Sequence, residues 1–255
     1  ARFVEPILGV VSYEEGIVWL PINPARAISA WRETFLREMG DMDSTFDRML
    51  EQAVSLEMRE KMGRLSEINP HSRARFLSSL KGEALISEIS YELSKDPLLS
   101  DFDRGKRSRI VENWIKNGDL SSANVFLSEY GESLNDSWWL RSLSLQKQAD
   151  FQEAIELIRK NIDVPNLPKI QKNEAAFIRL LREHAAAPND AEKGIALIYI
   201  YVAQGDYGKA LPIIDRLLEG DTPPLNLYYW RGECLYRLQE YAESWDAFGD
   251  YLEAL

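Results

Sequence analysis

Side chains able to do bond chemistry are few in this chain. Histidine occurs twice, at His71 and His184, and cysteine once, at Cys234. Both histidines fall in helical patterns with no second ligand at a metal-binding spacing, so each is expected as a surface or capping residue. Cys234 stands among Gly232 and Leu235, a setting that suits a packing thiol better than a nucleophile. Asp41-Met-Asp-Ser-Thr45 has the form of a phosphatase Asp-x-Asp-x-Thr box. That chemistry needs a strand ahead of the first Asp, whereas here a helix is expected to end at Gly40, and an acidic helix start accounts for the run. Gly105-Lys106 lacks the upstream Gly of a phosphate-cradling loop. Arg104, Lys106, Arg107 and Arg109 form the one basic cluster, after Asp101 and Asp103. It reads as a solvated helix start, with an anionic ligand or acidic partner as the other reading. No catalytic constellation, metal site or cofactor site is expected.

The elements that carry these residues are set by composition and periodicity. The 255 residues hold 30 Lys+Arg against 41 Asp+Glu, a net charge of −11, so broad contact with nucleic acid is disfavoured. A single cysteine excludes a disulfide framework. The longest apolar run, Gly194 to Ala203, is too short to span a bilayer. Residues 4 to 21 look different from the rest. Ile7-Leu-Gly-Val-Val-Ser-Tyr13 and Ile17-Val-Trp-Leu20 flank Glu14-Glu-Gly16, the form of a short β-hairpin packed on the helices. From Asn23 onward the pattern is helical. Asn23-Pro24 caps a first helix that Gly40 closes, and a second is expected from about Ser44 to Met62, ended by Gly63. Further helices fit residues 71 to 80 and 83 to 94, with breaks at Lys81-Gly82 and Asp96-Pro97.

From residue 104 the chain repeats itself. Asn117-Gly-Asp-Leu-Ser-Ser-Ala123, Gln148-Ala-Asp-Phe-Gln-Glu-Ala154, Gln204-Gly-Asp-Tyr-Gly-Lys-Ala210 and Gln239-Glu-Tyr-Ala-Glu-Ser244 are junctions of one form. Each joins two amphipathic helices with Leu120, Phe151, Tyr207 or Tyr241 at the corner, and the last two are 34 residues apart. Small residues recur between large ones: Tyr228, Gly232, Leu235, Ser244 and Phe248 in the last unit, Trp138, Ser142, Leu145, Ala154 and Ile158 in an earlier one. Between them come Leu197, Tyr201, Ala210 and Ile214, and ahead of both a weaker set of Ile110, Val111, Trp114, Ala123 and Leu127. Small residues let helices approach and large ones fill the gaps. Over residues 104 to 255 the sequence resembles the tetratricopeptide-repeat family. Units fall at about 104–131, 137–163, 191–220 and 225–255. Arg141 and Arg231 stand where that family has Leu, and Gly194 where it has an aromatic. Phe151 and Tyr207 are 56 residues apart, so an extra helix over about 167–186 is expected between two units.

The resemblance implies an all-α, right-handed superhelix of helix pairs, here with the hairpin at residues 1–22 and a divergent helical region at 23–103. It implies a non-enzymatic interaction scaffold whose concave groove takes a protein or peptide segment. Carried over by register, the groove includes Trp139, Leu143, Ile195, Tyr199, Val202, Tyr229, Trp230, Tyr236 and Arg237, and aromatics with Arg are common carriers of binding energy. The alternative for several of them is that they cover neighbouring helices. Family members that clamp a C-terminal carboxylate use Lys and Asn where this chain has Ile195, Tyr199 and Tyr229, so a chaperone's acidic tail is not the expected ligand. The other functional reading is a helical accessory domain of a larger envelope, glycan-processing enzyme assembly. Residues 221 to 255 hold seven acids against Arg231 and Arg237. With no polar capping helix after them, Trp245, Phe248, Tyr251 and Leu252 are expected to form a docking surface for another subunit, or to be covered by further chain. The start at Ala1 without Met fits a processed envelope protein and a trimmed cytoplasmic one equally.

Overall fold

The computed structural model describes residues 9–37, 42–53, 56–166 and 174–255. Fifteen α-helices and one 3-10 turn make up the regular structure among them, with no strand. Contacts divide the chain into two compact units, one running to Leu140 and the other from Arg141 to Leu255.

The expected hairpin is replaced by a helix, α1 (Gly9–Trp19); residues 4 to 8 of that expectation lie outside the described residues. Gly9, Ser12, Tyr13 and Gly16 are its buried residues, a three-to-four spacing that belongs to a helix face. α1 packs on α2 (Pro24–Leu36), where Trp31 lies fully buried. A Cβ on Gly16 would come 2.2 Å from the Trp31 indole nitrogen, and that nitrogen donates to the Tyr13 carbonyl at 3.3 Å. Gly16 therefore admits a tryptophan, and the turn role suggested by Glu14-Glu-Gly16 does not arise.

The rest of the first unit is built around α5 (Pro70–Ser79). The expected single helix over 44–62 is two, α3 (Met42–Gln52) and α4 (Leu56–Ser66), and Gly63 lies inside α4 instead of ending it. Both pack on α5, closing a core of Trp31, Phe35, Phe46, Met49, Met62 and Phe76. α6 (Gly82–Lys95) and α7 (Arg104–Asn117) also pack on α5. α7 is followed by α8 (Leu120–Tyr130) and the turn Gly131–Ser133.

Arg73 of α5 is buried, only 3% exposed. Its Nε donates to Glu92 Oε1 at 2.7 Å and its Nη2 to Glu88 Oε2 at 2.6 Å, both on α6. Burial alone would lower the pKa of this guanidinium, but the hydrogen bonds and charges of the two glutamates overcome that and raise it.

In the second unit, α12 (Ala191–Gln204), α13 (Tyr207–Leu218), α14 (Leu225–Arg237) and α15 (Tyr241–Glu253) each pack on the next. α11 (Glu174–Ala186) packs on α12; residues 167–173 of the expected extra helix lie outside the described residues. α9 (Ser137–Lys147) leads into α10 (Phe151–Asn161), which packs against α15, far away in sequence.

Three corners share one geometry. The amides of Asp150, Asp206 and Glu240 donate to the carbonyls five residues back, Leu145, Tyr201 and Leu235, at 3.0, 2.8 and 3.0 Å. The preceding residue is left-handed each time: Ala149 at φ 63°, Gly205 at 80° and Gln239 at 65°. This is a helix stop that glycine adopts without steric cost and other residues do not. Phe151, Tyr207 and Tyr241 each begin the helix after such a corner, and Leu120 begins α8 after Gly118, which closes α7 with φ −118°.

Two outcomes are expected from these features. Arg73→Met leaves the buried Glu92 with only Lys95 as a cationic partner and should cost about 3 kcal/mol in urea unfolding, while Arg73→Met/Glu92→Leu should recover most of it. Gln239→Gly should stabilise the fold by about 1 kcal/mol, and Gly205→Ala should destabilise it by a similar amount. Equal melting temperatures for both corner variants would contradict the assigned backbone geometry.

Candidate functional site

The groove expected from the repeat register lies on the first helix of each pair, and the structure separates its residues into three groups. Leu143, Val202, Tyr229 and Trp230 are buried, between 3 and 8% exposed. They fill contacts between helices, so they are core residues and not a contact surface. Tyr229 is the centre of a ring cluster, with Trp230 at 5.1 Å and Phe248 and Tyr251 each at 5.7 Å. Burial, with the charge of Glu233 nearby, pushes its phenol up to about 12.

Tyr236 and Arg237 make up the second group, already engaged by α10 or its partner Glu233. The Tyr236 hydroxyl donates to Glu156 at 3.1 Å, and the Arg159 guanidinium lies 4.5 Å over the Tyr236 ring. Arg159 also grips Glu233 with two bonds, Nε to Oε2 at 3.0 Å and Nη2 to Oε1 at 3.1 Å. Arg237 donates to the same Glu233 at 2.8 Å. Glu233 is buried, 6% exposed, between these two cations. A polar seam thus fastens α10 across the positions of α14 that the register assigns to a ligand.

Ile195 and Tyr199 on α12 remain, half-buried, with Trp139 half-buried on α9. Trp139 meets Trp138 edge-on at 6.4 Å. Asn226 Nδ2 of α14 donates to the Tyr199 hydroxyl at 2.6 Å, and the Tyr199 ring stands edge-on to Trp230 at 6.3 Å. This bond joins the first helices of two successive pairs on one face.

The expected docking surface is largely covered from within the unit. Phe248 is fully buried and Tyr251 is 6% exposed. Trp245 and Leu252 are half-buried, and Trp245 Nε1 donates to Ser142 Oγ on α9 at 3.1 Å. α10 packs on α15, so with the Trp245–Ser142 bond the α9–α10 hairpin lies against this face.

Departures from the repeat pattern find their reasons here. Arg231 pairs with Asp215 of α13 at 2.8 Å. A Cβ on Gly194 would meet Leu217 Cδ1 at 2.8 Å, so the residue allows α12 to lie close on α13. Cys234 is fully buried, and burial pushes its thiol up to about 12, the state of a packing residue. His184 is the one buried residue of α11, and His71 is exposed on α5. Asp41 of the acidic box lies outside the described residues, and the box continues into helix α3. Among the described residues no group of three or more His, Cys, Asp or Glu could hold a metal ion. No described helix is long and apolar enough to cross a membrane.

Glu156, Arg159, Glu233 and Asn226 carry the geometry of this face and were not singled out by periodicity. Their one sequence signal is opposite charge at inward positions of two helices, Arg159 and Glu233, separated by 74 residues. No family model and no curated protein matches this chain.

Glu233→Gln removes the charge shared by Arg159 and Arg237. Amide exchange in α10 should speed up about tenfold, the effect of losing one charge-assisted hydrogen bond, while α12 and α13 stay protected. Unchanged protection of α10 would show that the seam does not hold it.

Proposed function

We propose that this chain is a non-enzymatic interaction scaffold of tetratricopeptide-like helix pairs arranged as a right-handed superhelix, which takes a segment of a partner protein on the face of α12 and α14. The observation that carries the reading is the bond from Asn226 to Tyr199, which ties successive first helices side by side. Ile195 and Tyr199 are half-buried on α12, and the Tyr199 ring stands against the buried Trp230. A rigid aromatic with a polar tip, held in place by a neighbour, loses little freedom when a partner covers it.

Two further features support the reading. The pairs are built alike at their close contacts: Ser142 Oγ donates to the Ala154 carbonyl at 3.0 Å, and Ser244 Oγ to the Gly232 carbonyl at 2.8 Å. The separation is twelve residues in both, as the shared repeat register requires. The groove is also shorter than the register suggests, since α10 engages Glu233 and Tyr236 of α14. A ligand on this face is therefore short and rests on the first half of α14, next to α12.

Capture from a lysate of the source cell, with each partner identified by mass spectrometry, tests the proposal. A partner bound by the wild type should be lost or weakened about tenfold by Tyr199→Ala and by Ile195→Asp, with the melting temperature preserved in Tyr199→Ala. Equal capture by wild type and both variants would refute the assignment of this face.

A further inference from the structure

The basic cluster at the start of α7 is not used by the proposed face, and it lies in the other unit. α7 turns Lys106, Arg109, Glu112, Asn113 and Lys116 to one side, and α5 meets that side with His71, Arg75 and Ser78. The two helices pack together. Asn113 Nδ2 holds them in register by donating to the carbonyls of Leu77 and Leu80 at the end of α5, at 3.0 Å each. Between them lies an open groove of about 590 Å³, in the range of ligand sites.

Four cationic side chains line this groove, Arg75, Lys106, Arg109 and Lys116, against two carboxylates, Asp103 and Glu112. That is a local excess of positive charge in a chain whose net charge is −11. Three of the cations have partners: Lys106 pairs with Asp103, Lys116 with Glu112 at 2.6 Å, and Arg75 with Asp47. These are solvent-facing pairs, which contribute little and can be shared with an incoming anion. Arg109 is exposed and has no ion pair among the described residues.

Geometry narrows the ligand. Lys106 to Lys116 covers ten residues of helix, about 15 Å, the length of four or five residues of extended chain. The groove lining holds no Phe, Tyr or Trp to stack a base, and it includes the small residues Ala74 and Gly105. Cations strung out over that length suit carboxylates spaced along a polypeptide better than one compact anion. We infer that the groove between α5 and α7 binds an extended, carboxylate-rich segment of a partner protein. This second site stands whether or not the α12–α14 face binds anything.

The chain's own acidity makes the test discriminating, since net charge alone would repel such a ligand. The probe is a fluorescein-labelled hexaglutamate peptide, followed by anisotropy with the full chain at neutral pH, with hexaglutamine as the uncharged control. Wild type should bind hexaglutamate and not hexaglutamine at about 50 mM salt, and should lose about tenfold in affinity at about 300 mM. Lys106→Glu/Arg109→Glu/Lys116→Glu reverses only side chains that line the groove and should weaken binding at least about tenfold with the circular dichroism unchanged. Tyr199→Ala should bind as wild type does, which separates this site from the proposed face. No binding by wild type at low salt would overturn the inference. So would equal binding by the triple variant, or displacement by inorganic phosphate as effective as by unlabelled peptide, which would mark a compact anion site.

Discussion

The close approach of two helix backbones at a small residue is the constraint on which the second unit depends. Ser142 reaches from α9 to a carbonyl of α10, and Ser244 reaches back from α15 to a carbonyl of α14. The hydroxyl sits on the first helix in one pair and on the second in the other, yet the twelve-residue separation is the same. A backbone carbonyl can be reached in this way only where no bulky side chain keeps the helices apart. Gly232 makes the same point by space, since a Cβ there would lie 3.0 Å from the buried Phe248 ring. Corner geometry follows, because helices this close must reverse within a few residues, and the left-handed residue at each of three corners does so.

Polar seams then decide how these pairs are arranged. Arg159 and Glu156 of α10 engage Glu233 and Tyr236 of α14, and Trp245 of α15 donates to Ser142 of α9. The first hairpin of the second unit is thereby placed against its last. That removes part of the expected groove and covers much of the apolar face at α15. In the first unit Arg73 plays a comparable part between α5 and α6. It is a buried charge that Glu88 and Glu92 compensate, so it fixes which faces of the two helices meet.

Much of this was legible beforehand. The corner residues Leu120, Phe151, Tyr207 and Tyr241 each begin a helix, and Asp96-Pro97 follows the end of α6. These are local signals, carried by residues within one turn of the place they act. The N-terminal segment misled because Val10, Val11, Ile17 and Val18 suggest a strand, while Gly9, Ser12 and Gly16 form the helix face that receives Trp31. A glycine marks a turn or a close contact, and only the neighbour decides which. Gly63 likewise lies inside a helix, with its Cβ position 3.1 Å from Phe76.

By itself the sequence determined the helical character from Asn23 onward and the corners, since these depend on signals within a turn or two along a single helix. The tertiary structure decided which of those faces stays open. Tyr229, Tyr236 and Tyr199 occupy equivalent-looking positions on first helices, yet one is buried among rings, one is held by α10 and one is left half-buried beside Asn226. The difference comes from contacts between residues as far as 80 positions apart. Periodicity along one helix assigns a side chain to a face, and it carries no information about which distant helix covers that face.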